Sequence, residues 1–470
     1  MQKFDRKCPR GVTALALSAL ASFAALTAPS QSLAQSDQVN VSYLQGLLPK
    51  SDGAITTLGP DLMGDRVNLF NGALEFEHTD VTLPGNSALP VAFTRRHIAG
   101  RTVWIRGTMG DWDVETPRIT GVFATATGWV NGANEVARCS TYSAPPLQYR
   151  PASGGGGGAA AAPAPASGPT VRLPAGGVGA AATSVTFFAA DYWQGNFLHV
   201  PGAGAQEVFI RPAADTFVPT DGNVYHLVTK GKWHLRCLNA LQNAAGEGFI
   251  AISPEGMTYR FDWMASRRQP AAKREGASLP RSEYMLMATQ VTDRFGKSVN
   301  YTYSAADPER LVSIQASDGR QISVSYDASG RVGSVSDGTR AWTYSYDANG
   351  SLTSVTRPDN SRWLFDLRPL VHLNTFELGE LASCESAGYF PEGNYIGTIT
   401  HPSGAVGRFT LRFTQYNRSN VTKQCIFVGT KPVGARWPKS TTSQSLVSKH
   451  LAGPGLPTAG WTWGYAYGGG

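Results

Sequence analysis

Apolar and polar side chains alternate in short runs along most of this chain. In residues 322–326, for example, Ile322, Val324 and Tyr326 are separated by serines. A period of two places one side of a β-strand in a core and the other in water. Glycine, proline, asparagine and aspartate end these runs, and they favour turns. The pattern predicts an all-β protein whose antiparallel hairpins form an extended or partly curled sheet, with a β-rich N-terminal region.

Changes in composition predict how the chain is organised. Residues 151–183 contain five consecutive glycines followed by alanines and prolines, which cannot form a core and predict a flexible surface loop. Strand-like sequence resumes directly afterwards, so this loop interrupts a β-rich region rather than separating two domains. The predicted regions are a signal peptide at 1–34, a leader at 35–60, the β-rich N-terminal region at 61–290, repeats at 291–370, and a further β-rich segment, which need not be complete, at 371–470.

The N-terminus has the three parts of a secretory signal. Four basic residues precede an uncharged apolar run at 12–28, and small residues flank the expected cleavage site after Ala34. The run of 17 residues is at the short end for a membrane span. We expect a mature chain that begins at Gln35, is secreted, periplasmic or at the cell surface, and has no stable membrane span. A retained anchor is the alternative.

Charge argues against a nucleic-acid partner. The net charge is +7, of which the predicted signal carries +3. Nucleic-acid binders usually cluster Lys and Arg on one element, whereas the densest basic stretches here, Arg267-Arg268 and Lys273-Arg274, are short. We expect this mild basicity to belong to a solvated surface.

The cysteines agree with export. Cys8 would leave with the signal, and Cys139, Cys237, Cys384 and Cys425 remain, an even number that suits an oxidising compartment. Three pairings are open. Cys384 with Cys425 is favoured because the two bracket one local segment, which leaves Cys139 with Cys237. Free buried thiols are the alternative, and no close C-x-x-C spacing predicts a zinc site.

Successive hairpins share the same turn chemistry. Aromatic-Asp pairs end at Asp327, Asp347 and Asp366, with spacings of 20 and 19 residues. Gly330 and Gly350 follow the first two of these aspartates after three residues. An aspartate can accept hydrogen bonds from the turn's backbone N–H groups, and a glycine can adopt the positive φ that completes the turn. A single hairpin cannot bury its apolar face, but stacked hairpins can.

This pattern resembles the YD-repeat, or Rhs, family. The family pattern is a glycine, a short strand, Tyr-Asp, two residues, Gly-Arg and another strand. Residues 326–332 match it fully, and residues 346–352 match except for Ser351 in place of Arg. Residues 72–96 are similar to the segment that commonly opens large secreted members. The residues assigned to the repeat structure are Gly319, Tyr326, Asp327, Gly330, Arg331, Gly338, Tyr346, Asp347 and Gly350.

The resemblance implies a β-sheet strip that spirals into a hollow shell, which in this family encloses a C-terminal toxin or contacts a cell surface. Few repeats are present here, and no toxin domain is recognisable before Gly470. An N-terminal part of a longer protein, a truncated product and an orphan component all remain open. We expect a scaffold or interaction module, in a toxin-delivery or cell-contact system, that binds cell-envelope glycan or a protein partner.

Catalytic motifs are missing from the sequence, so we expect neither enzyme activity nor a cofactor. His226 and His234 have an even spacing and would share a face on one continuous strand. Metal binding or a hydrolase site there is the alternative to an ordinary half-buried pair. Asp327 and Asp347 each offer their turn one carboxylate, which fits a hairpin turn better than a calcium site. We therefore predict no metal site.

Aromatic residues near the C-terminus are the candidate binding residues. Trp461, Trp463 and Tyr465 are spaced two residues apart and would share one face of a strand. Packing within the sheet is the favoured interpretation. The alternative is a surface on which these rings stack against sugars, as in a carbohydrate-binding surface protein.

Overall fold

The described part of the chain is almost entirely β-structure. The computed structural model describes residues 62–85, 89–100, 107–133, 135–151, 184–202, 204–274, 277–370, 392–417, 425–428, 431–435 and 440–467. Strand pairing among these residues is antiparallel, which confirms the predicted fold class. No helix among the described residues is long and apolar enough to cross a membrane. The predicted signal and leader lie outside the described residues.

The first strands form a small separate sheet. Buried positions alternate strictly over residues 91–98 and over residues 74–78, with Phe76 and Phe93 completely buried. The buried positions include Arg95 and His97 as well as apolar residues. Gly72 adopts a positive φ of 71° in the turn before the second strand. The strands, in spatial and chain order, are β1 (Asp65–Val67), β2 (Leu74–Leu83), β3 (Val91–Ile98) and β4 (Trp112–Val114).

Most of the next elements build a closed ring. In chain order the elements are β5 (Arg118–Ala124), β6 (Gln148–Pro151), β7 (Ser184–Phe187), the helical turn α1 (Ala189–Tyr192), β8 (Asn196–Val200), β9 (Gly204–Ile210), β10 (Leu227–Thr229), β11 (His234–Leu238), β12 (Gly248–Ile252), β13 (Thr258–Arg274) and β14 (Ala277–Thr292), and the ring itself consists of β5 and β8 to β14. Strands β8 to β14 pair in succession, β5 pairs with β8, and β14 pairs back to β5. Closure leaves these strands without a free edge along the paired residues.

Strands β6 and β7 flank the Gly/Ala/Pro-rich segment and pair with each other as a hairpin outside this ring. Residues 152–183 between them lie outside the described part of the chain.

A long strip of hairpins continues from the ring. It contains β15 (Ser298–Tyr303), β16 (Leu311–Ala316), β17 (Gln321–Tyr326), β18 (Val332–Ser336), β19 (Ala341–Tyr346), β20 (Leu352–Thr356), β21 (Arg362–Asp366), a 3₁₀ turn (Arg368–Leu370), β22 (Tyr395–Thr400), β23 (Val406–Asn417), β24 (Cys425–Val428), β25 (Lys431–Ala435), β26 (Ser440–Ala452) and β27 (Trp461–Gly464). Each strand pairs with the next, except that β24 and β25 form their own hairpin and β23 pairs with β26.

Strand β14 joins the ring to the strip. One of its edges pairs with β13 along most of its length, whereas the other edge is shared. Residues 281–287 pair with β5, and residues 290–292 pair with β15. The sheet therefore forks along β14, with the ring on one branch and the repeat hairpins on the other.

The small N-terminal sheet packs against the strip. Phe76 meets Phe409 of β23 edge-on with ring centroids 4.8 Å apart, and Trp112 meets Phe365 of β21 at 5.1 Å. These contacts belong to one continuous cluster of buried side chains that also includes Leu198, Leu235 and Phe249 of the ring strands. The N-terminal sheet of the same chain therefore covers one face of the strip.

Candidate functional site

The aspartates of the repeats hold their turns. One carboxylate oxygen of Asp327 accepts hydrogen bonds from the backbone N–H groups of Ser329 at 2.8 Å and Arg331 at 2.9 Å. Gly330 completes this turn with a φ of 79°. The matching contacts of the next repeat join Asp347 to the N–H groups of Asn349 at 2.9 Å and Ser351 at 2.8 Å. The carboxylates thus perform the turn role predicted for them.

Hydrogen bonding also shifts the acidity of the second aspartate. Partial burial by itself would raise the pKa of Asp347, but the hydrogen bonds from Ser351 and Asn349 outweigh it and lower the pKa. Asp347 therefore stays ionised well into the acidic range.

Tyrosines of the repeats tie each hairpin to the one before it. The hydroxyl of Tyr326 donates to the carbonyl of Leu311 at 2.9 Å, and the hydroxyl of Tyr346 donates to the carbonyl of Val332 at 2.8 Å. Leu311 and Val332 are the first residues of β16 and β18. Each tyrosine thus donates to the carbonyl group that begins the second strand of the preceding hairpin.

Arginines of the repeats stack on these same tyrosines. The guanidinium of Arg331 lies 4.7 Å from the ring centroid of Tyr346, and that of Arg310 lies 5.2 Å from the ring of Tyr326. Such cation–π contacts contribute about 0.5–1 kcal/mol when partly exposed. The Gly-Arg and Tyr-Asp positions of the family pattern therefore meet between successive hairpins.

A loop before β4 completes the hydrogen bonding of the repeats. Register shifts in the two repeat hairpins leave the N–H groups of Val332 and Leu352 outside the regular ladder. The carbonyl of Thr108 accepts the first N–H at 2.8 Å, and a carboxylate oxygen of Asp111 accepts the second at 2.8 Å. Two acceptors in this loop, Thr108 and Asp111, thus bind equivalent backbone positions in the two successive repeats.

A buried ion pair joins the N-terminal sheet to the strip. The side chain of Arg95 on β3 is fully buried and binds Asp80 through two contacts, at 2.8 and 3.2 Å. Its guanidinium lies 4.4 Å from the ring centroid of Trp112 and 4.7 Å from that of Phe365. The hydroxyl of Tyr344 donates to Asp80 at 2.9 Å. Sequence reasoning missed this pair, because β2 carries three acidic residues and β3 carries two arginines, and alternation alone does not show which of them meet in the interior.

The expectation that Arg267 lies on a solvated surface is wrong. Its side chain is 9% exposed and binds Asp113 of β4 and Glu283 of β14, both at 2.7 Å, with Glu309 at 3.5 Å. Burial by itself would lower the pKa of Arg267, but the three carboxylates raise it. This cluster joins the N-terminal sheet, the ring and the strip.

The two histidines do not share a strand. A turn at 230–233 separates β10 from β11, so exposed His226 precedes one strand while buried His234 begins the next. A ring nitrogen of His234 lies 3.0 Å from a carboxylate oxygen of Asp215. The sequence predicted a common face only if both histidines lay on one continuous strand. Because a turn separates them, that condition is not met. No group of three or more potential metal ligands occurs among the described residues.

The structure links Cys139 to Cys237 by a disulfide, with Cα atoms 5.3 Å apart. This is the pairing that the sequence predicted by elimination. Cys384 lies outside the described residues, as does the side chain of Cys425, so their pairing stays a prediction.

The C-terminal aromatic residues lie at the end of the strip. Trp461 and Trp463 on β27 have ring centroids 6.2 Å apart, as expected for residues on one strand face. Trp461 is 46% exposed, whereas Trp463 and Tyr465 pack partly against the core. The ammonium group of Lys449 lies 5.3 Å from the Trp463 ring. Sheet packing therefore explains most of the set, and Trp461 retains an open surface.

Comparisons with known proteins identify the repeat. Residues 326–362 match the sequence model of the family described as RHS Repeat. The chain therefore carries an RHS repeat where the YD pattern predicted one. No curated protein sequence matches the chain.

Several solved structures resemble the chain at low similarity. The N-terminal domain of effector protein SpvB from Salmonella typhimurium strain LT2 is 10% identical, with a TM-score of 0.22, and the match covers 62% of this chain and 94% of that one. Structures of TcdB2-TccC3-Cdc42 and TcdB2-TccC3 are each 10% identical with TM-scores of 0.27. Those matches cover 84% and 87% of this chain but only 21% and 23% of theirs. All three TM-scores lie below 0.5, so these matches assign neither a fold nor a function to this chain.

Proposed function

We propose that this protein is an exported scaffold of the RHS type, which binds partners and has no catalytic site. The observation that carries this proposal is the use of every signature side chain within the two repeat hairpins. Asp327 holds a turn, Tyr346 reaches back to the preceding hairpin, and Arg331 stacks on that tyrosine. Because these side chains are engaged in contacts that hold the hairpins together, they support a structural role rather than a catalytic one.

The setting that we propose is a toxin-delivery or cell-contact system. In the described part of the chain, the N-terminal sheet packs on one face of the strip and covers it. This arrangement supports binding of a partner to an outer surface or an edge. We therefore propose a contact role, with a protein or envelope partner outside the strip.

Export is supported by two independent features. The first 34 residues have the pattern of a cleavable signal. Cys139 and Cys237 form a disulfide, a bond that persists mainly in oxidising compartments. Both features fit a mature protein located in the periplasm, at the cell surface or outside the cell.

Cell fractionation tests the export. Full-length protein expressed in a bacterial host with two membranes should appear in the periplasm or medium, with Gln35 as its first residue in mass spectrometry. A matched variant in which both small residues before the cleavage site are replaced, Ser32→Pro with Ala34→Pro, should remain uncleaved. Uncleaved wild-type protein in the cytoplasm would contradict the proposal.

An envelope-binding assay tests the contact role. Purified protein is mixed with isolated cell envelopes that are untreated, protease-treated or periodate-treated. We expect saturable sedimentation with untreated envelopes, and loss after protease treatment identifies a protein partner. If neither the envelopes nor any co-encoded protein binds, the interaction role is wrong.

A carbohydrate-binding surface protein is the second candidate, because Trp461 is half-exposed beside Trp463 at the end of the strip. Tryptophan rings in such positions can stack on sugars. A glycan array that compares wild type with a Trp461→Ala, Trp463→Ala variant tests this candidate. Equal signals from both proteins would exclude these two rings as the binding surface.

A further inference from the structure

A gap opens between β14 and β15 where the sheet forks. The pairing of β15 with β14 ends at Gln290–Asn300, and residues 281–287 of β14 pair with β5 instead. A cleft of about 450 Å³ lies in this gap. Its volume is within the range of ligand sites.

The cleft runs along the edge of β15. Four consecutive residues of this strand, 300–303, all line it. Successive side chains of a strand point to opposite faces, so a site on one face would be lined by every second residue. Lining by consecutive residues therefore places the backbone edge of β15 at the wall of the cleft.

The direction of the backbone groups in β15 follows from its other edge. The carbonyl of Ser298 accepts a hydrogen bond from Ser317 at 2.8 Å, and the N–H of Ser304 donates to Arg310 at 2.9 Å. Even-numbered residues of the strand thus direct their backbone groups towards β16. In an antiparallel ladder the next residue directs its groups to the opposite edge, so the odd-numbered residues face the cleft.

Three backbone groups of β15 are open to a new partner. They are the carbonyl of Tyr301 and the N–H and carbonyl of Tyr303. Among the described residues, β14 supplies no pairing to β15 beyond Gln290–Asn300. A strand edge of this kind is a template on which another chain can pair.

The facing edge of β14 is already occupied. The N–H of Ala288 donates to the carbonyl of Pro117 at 2.9 Å, and the carbonyl of Ala288 accepts a hydrogen bond from the Tyr303 hydroxyl at 3.0 Å. Of the two edges at this part of the fork, β15 is therefore the one that offers backbone groups to a further strand.

Two lining rings give the cleft an apolar contact surface. Trp263 and Tyr303 are stacked, with ring centroids 6.0 Å apart and planes 20° apart. The indole N–H donates to the carbonyl of Pro308 at 2.9 Å. Because both rings are held by hydrogen bonds, a ligand loses less entropy in ordering them.

The charges in the cleft compensate one another. Arg260 is 41% exposed and donates to the buried carboxylate of Asp262 at 2.6 Å. Asp262 also accepts hydrogen bonds from Gln242 at 3.0 Å and Thr289 at 2.5 Å. The other lining side chains are uncharged. An ionic ligand would lose hydration without gaining a net counter-charge, so this balance favours an uncharged one.

We infer that the cleft binds an extended, uncharged peptide segment of a protein partner, which pairs as an added strand with β15 at Tyr301 and Tyr303. A segment of about four residues covers the open edge. Its inward side chains would contact Trp263, and its outward ones would lie beside the amides of Gln290 and Asn300. The inference rests on the proposed partner-binding role and names the kind of segment that is bound.

Isothermal titration calorimetry with a capped hexapeptide that alternates threonine and valine tests the inference. Two further peptides carry N-methyl groups on every valine or on every threonine, which removes the backbone donors from one edge or the other. We expect one methylated peptide to bind at least tenfold more weakly than the parent and the other to stay within about threefold. Loss of two hydrogen bonds accounts for a change of this size.

Hydrogen–deuterium exchange at single-residue resolution locates the bound peptide. The amide of Tyr303 has no strand partner and should exchange rapidly in the free protein. The parent peptide should protect it, because the amide then donates to the added strand. Protection of this amide in the free protein would show that the edge is already occupied and would overturn the inference. Protection at another edge instead, such as β27, would also overturn it.

A substitution beside the edge provides the test on the protein itself. Thr302→Lys adds a charged side chain next to the open backbone groups, a change that discourages strand addition, and should weaken binding of the parent peptide about tenfold or more. Ser323→Lys is the matched control. It changes an exposed position in the same cross-strand row, beyond Ser313 and away from the fork, and should bind as wild type does.

Circular dichroism and a thermal melt would show that both variants are folded. No binding of the parent peptide, equal effects of the two methylation patterns, or unchanged affinity of Thr302→Lys would overturn the inference. The envelope-binding assay separates this failure from failure of the contact role. If the peptide does not bind but envelopes still bind the protein, the contact role stands and only the cleft assignment is wrong.

Discussion

Single residues of the repeat hairpins have separable structural roles. An aspartate closes each turn, a glycine supplies positive φ, and an arginine covers the tyrosine of the following hairpin. The tyrosine hydroxyl then binds the first carbonyl of a returning strand. Because these contacts are local, the sequence could indicate the turn roles, although it could not show that arginine and tyrosine of successive repeats meet.

The turn carboxylate gives the first prediction. Asp327→Ala removes the acceptor for two backbone N–H groups, so we expect the free energy of unfolding to fall by about 1–3 kcal/mol. Urea denaturation monitored by tryptophan fluorescence measures the change. Ser329→Ala in the same turn is the control and should stay within about 0.5 kcal/mol of wild type. A neutral Asp327→Ala would show that the turn does not need its carboxylate.

A buried histidine gives a prediction about pH. Burial, and secondarily the positive charge of Arg95, lower the pKa of His78 well below 6.5. The unfolded chain therefore takes up this proton more readily than the folded one. Stability from His78 is complete above pH 6.5 and is lost as pH falls from there towards the lower folded-state pKa, by at most about 1.4 kcal/mol per pH unit.

Thermal melts between pH 7.5 and 5.5 check this expectation. The melting temperature of wild type should fall with pH, and His78→Gln should reduce the slope even if it lowers stability overall. His226→Gln, at an exposed position, is the matched control and should leave the slope unchanged. A slope that His78→Gln does not alter would assign the acid sensitivity to other groups.

Between strands, charged and aromatic side chains connect the N-terminal sheet to the strip. Arg95 and Asp80 come from the β2–β3 hairpin, whereas Tyr344 and Phe365 come from β19 and β21. The alternation of each strand indicates which positions face inward. It does not indicate that an ion pair occupies inward positions, because burial of charge becomes favourable only when a partner is already in place.

This connection predicts a graded loss of stability. Tyr344→Phe removes one hydrogen bond to Asp80 and should cost about 1.5–3 kcal/mol. Arg95→Ala leaves the Asp80 carboxylate buried without its cation and should cost about 3–5 kcal/mol. Chemical denaturation measures both. The double variant Arg95→Met, Asp80→Asn should recover part of the loss, and an Arg95→Ala variant as stable as wild type would contradict the assigned role.

Across the whole molecule, β14 connects two kinds of sheet, and a disulfide secures one of them. Cys139 precedes the low-complexity segment and Cys237 lies on β11 of the ring. The bond joins residues separated by 98 positions. In the chain-entropy account, a disulfide that closes a loop of this length lowers the entropy of the unfolded chain. It thereby stabilises the folded state by up to about 4.7 kcal/mol.

Removing this disulfide should lower stability markedly. We expect Cys139→Ser, Cys237→Ser to reduce the free energy of unfolding by about 2–5 kcal/mol in non-reducing buffer. Peptide mapping without reduction should recover a linked Cys139–Cys237 peptide. The same map tests the predicted Cys384–Cys425 pair, and free thiols at all four positions would contradict both.

The sequence alone determined the all-β class, the turns and the RHS repeat, because period-two alternation and turn residues act over about ten neighbouring positions. Asp327 and Gly330 could be assigned for that reason. Tertiary structure decided the closure of the ring at β14, the burial of Arg95 and Arg267, and the separation of His226 from His234 by a turn. These features bring together residues far apart in the chain, and packing of whole strands decides which distant residues meet.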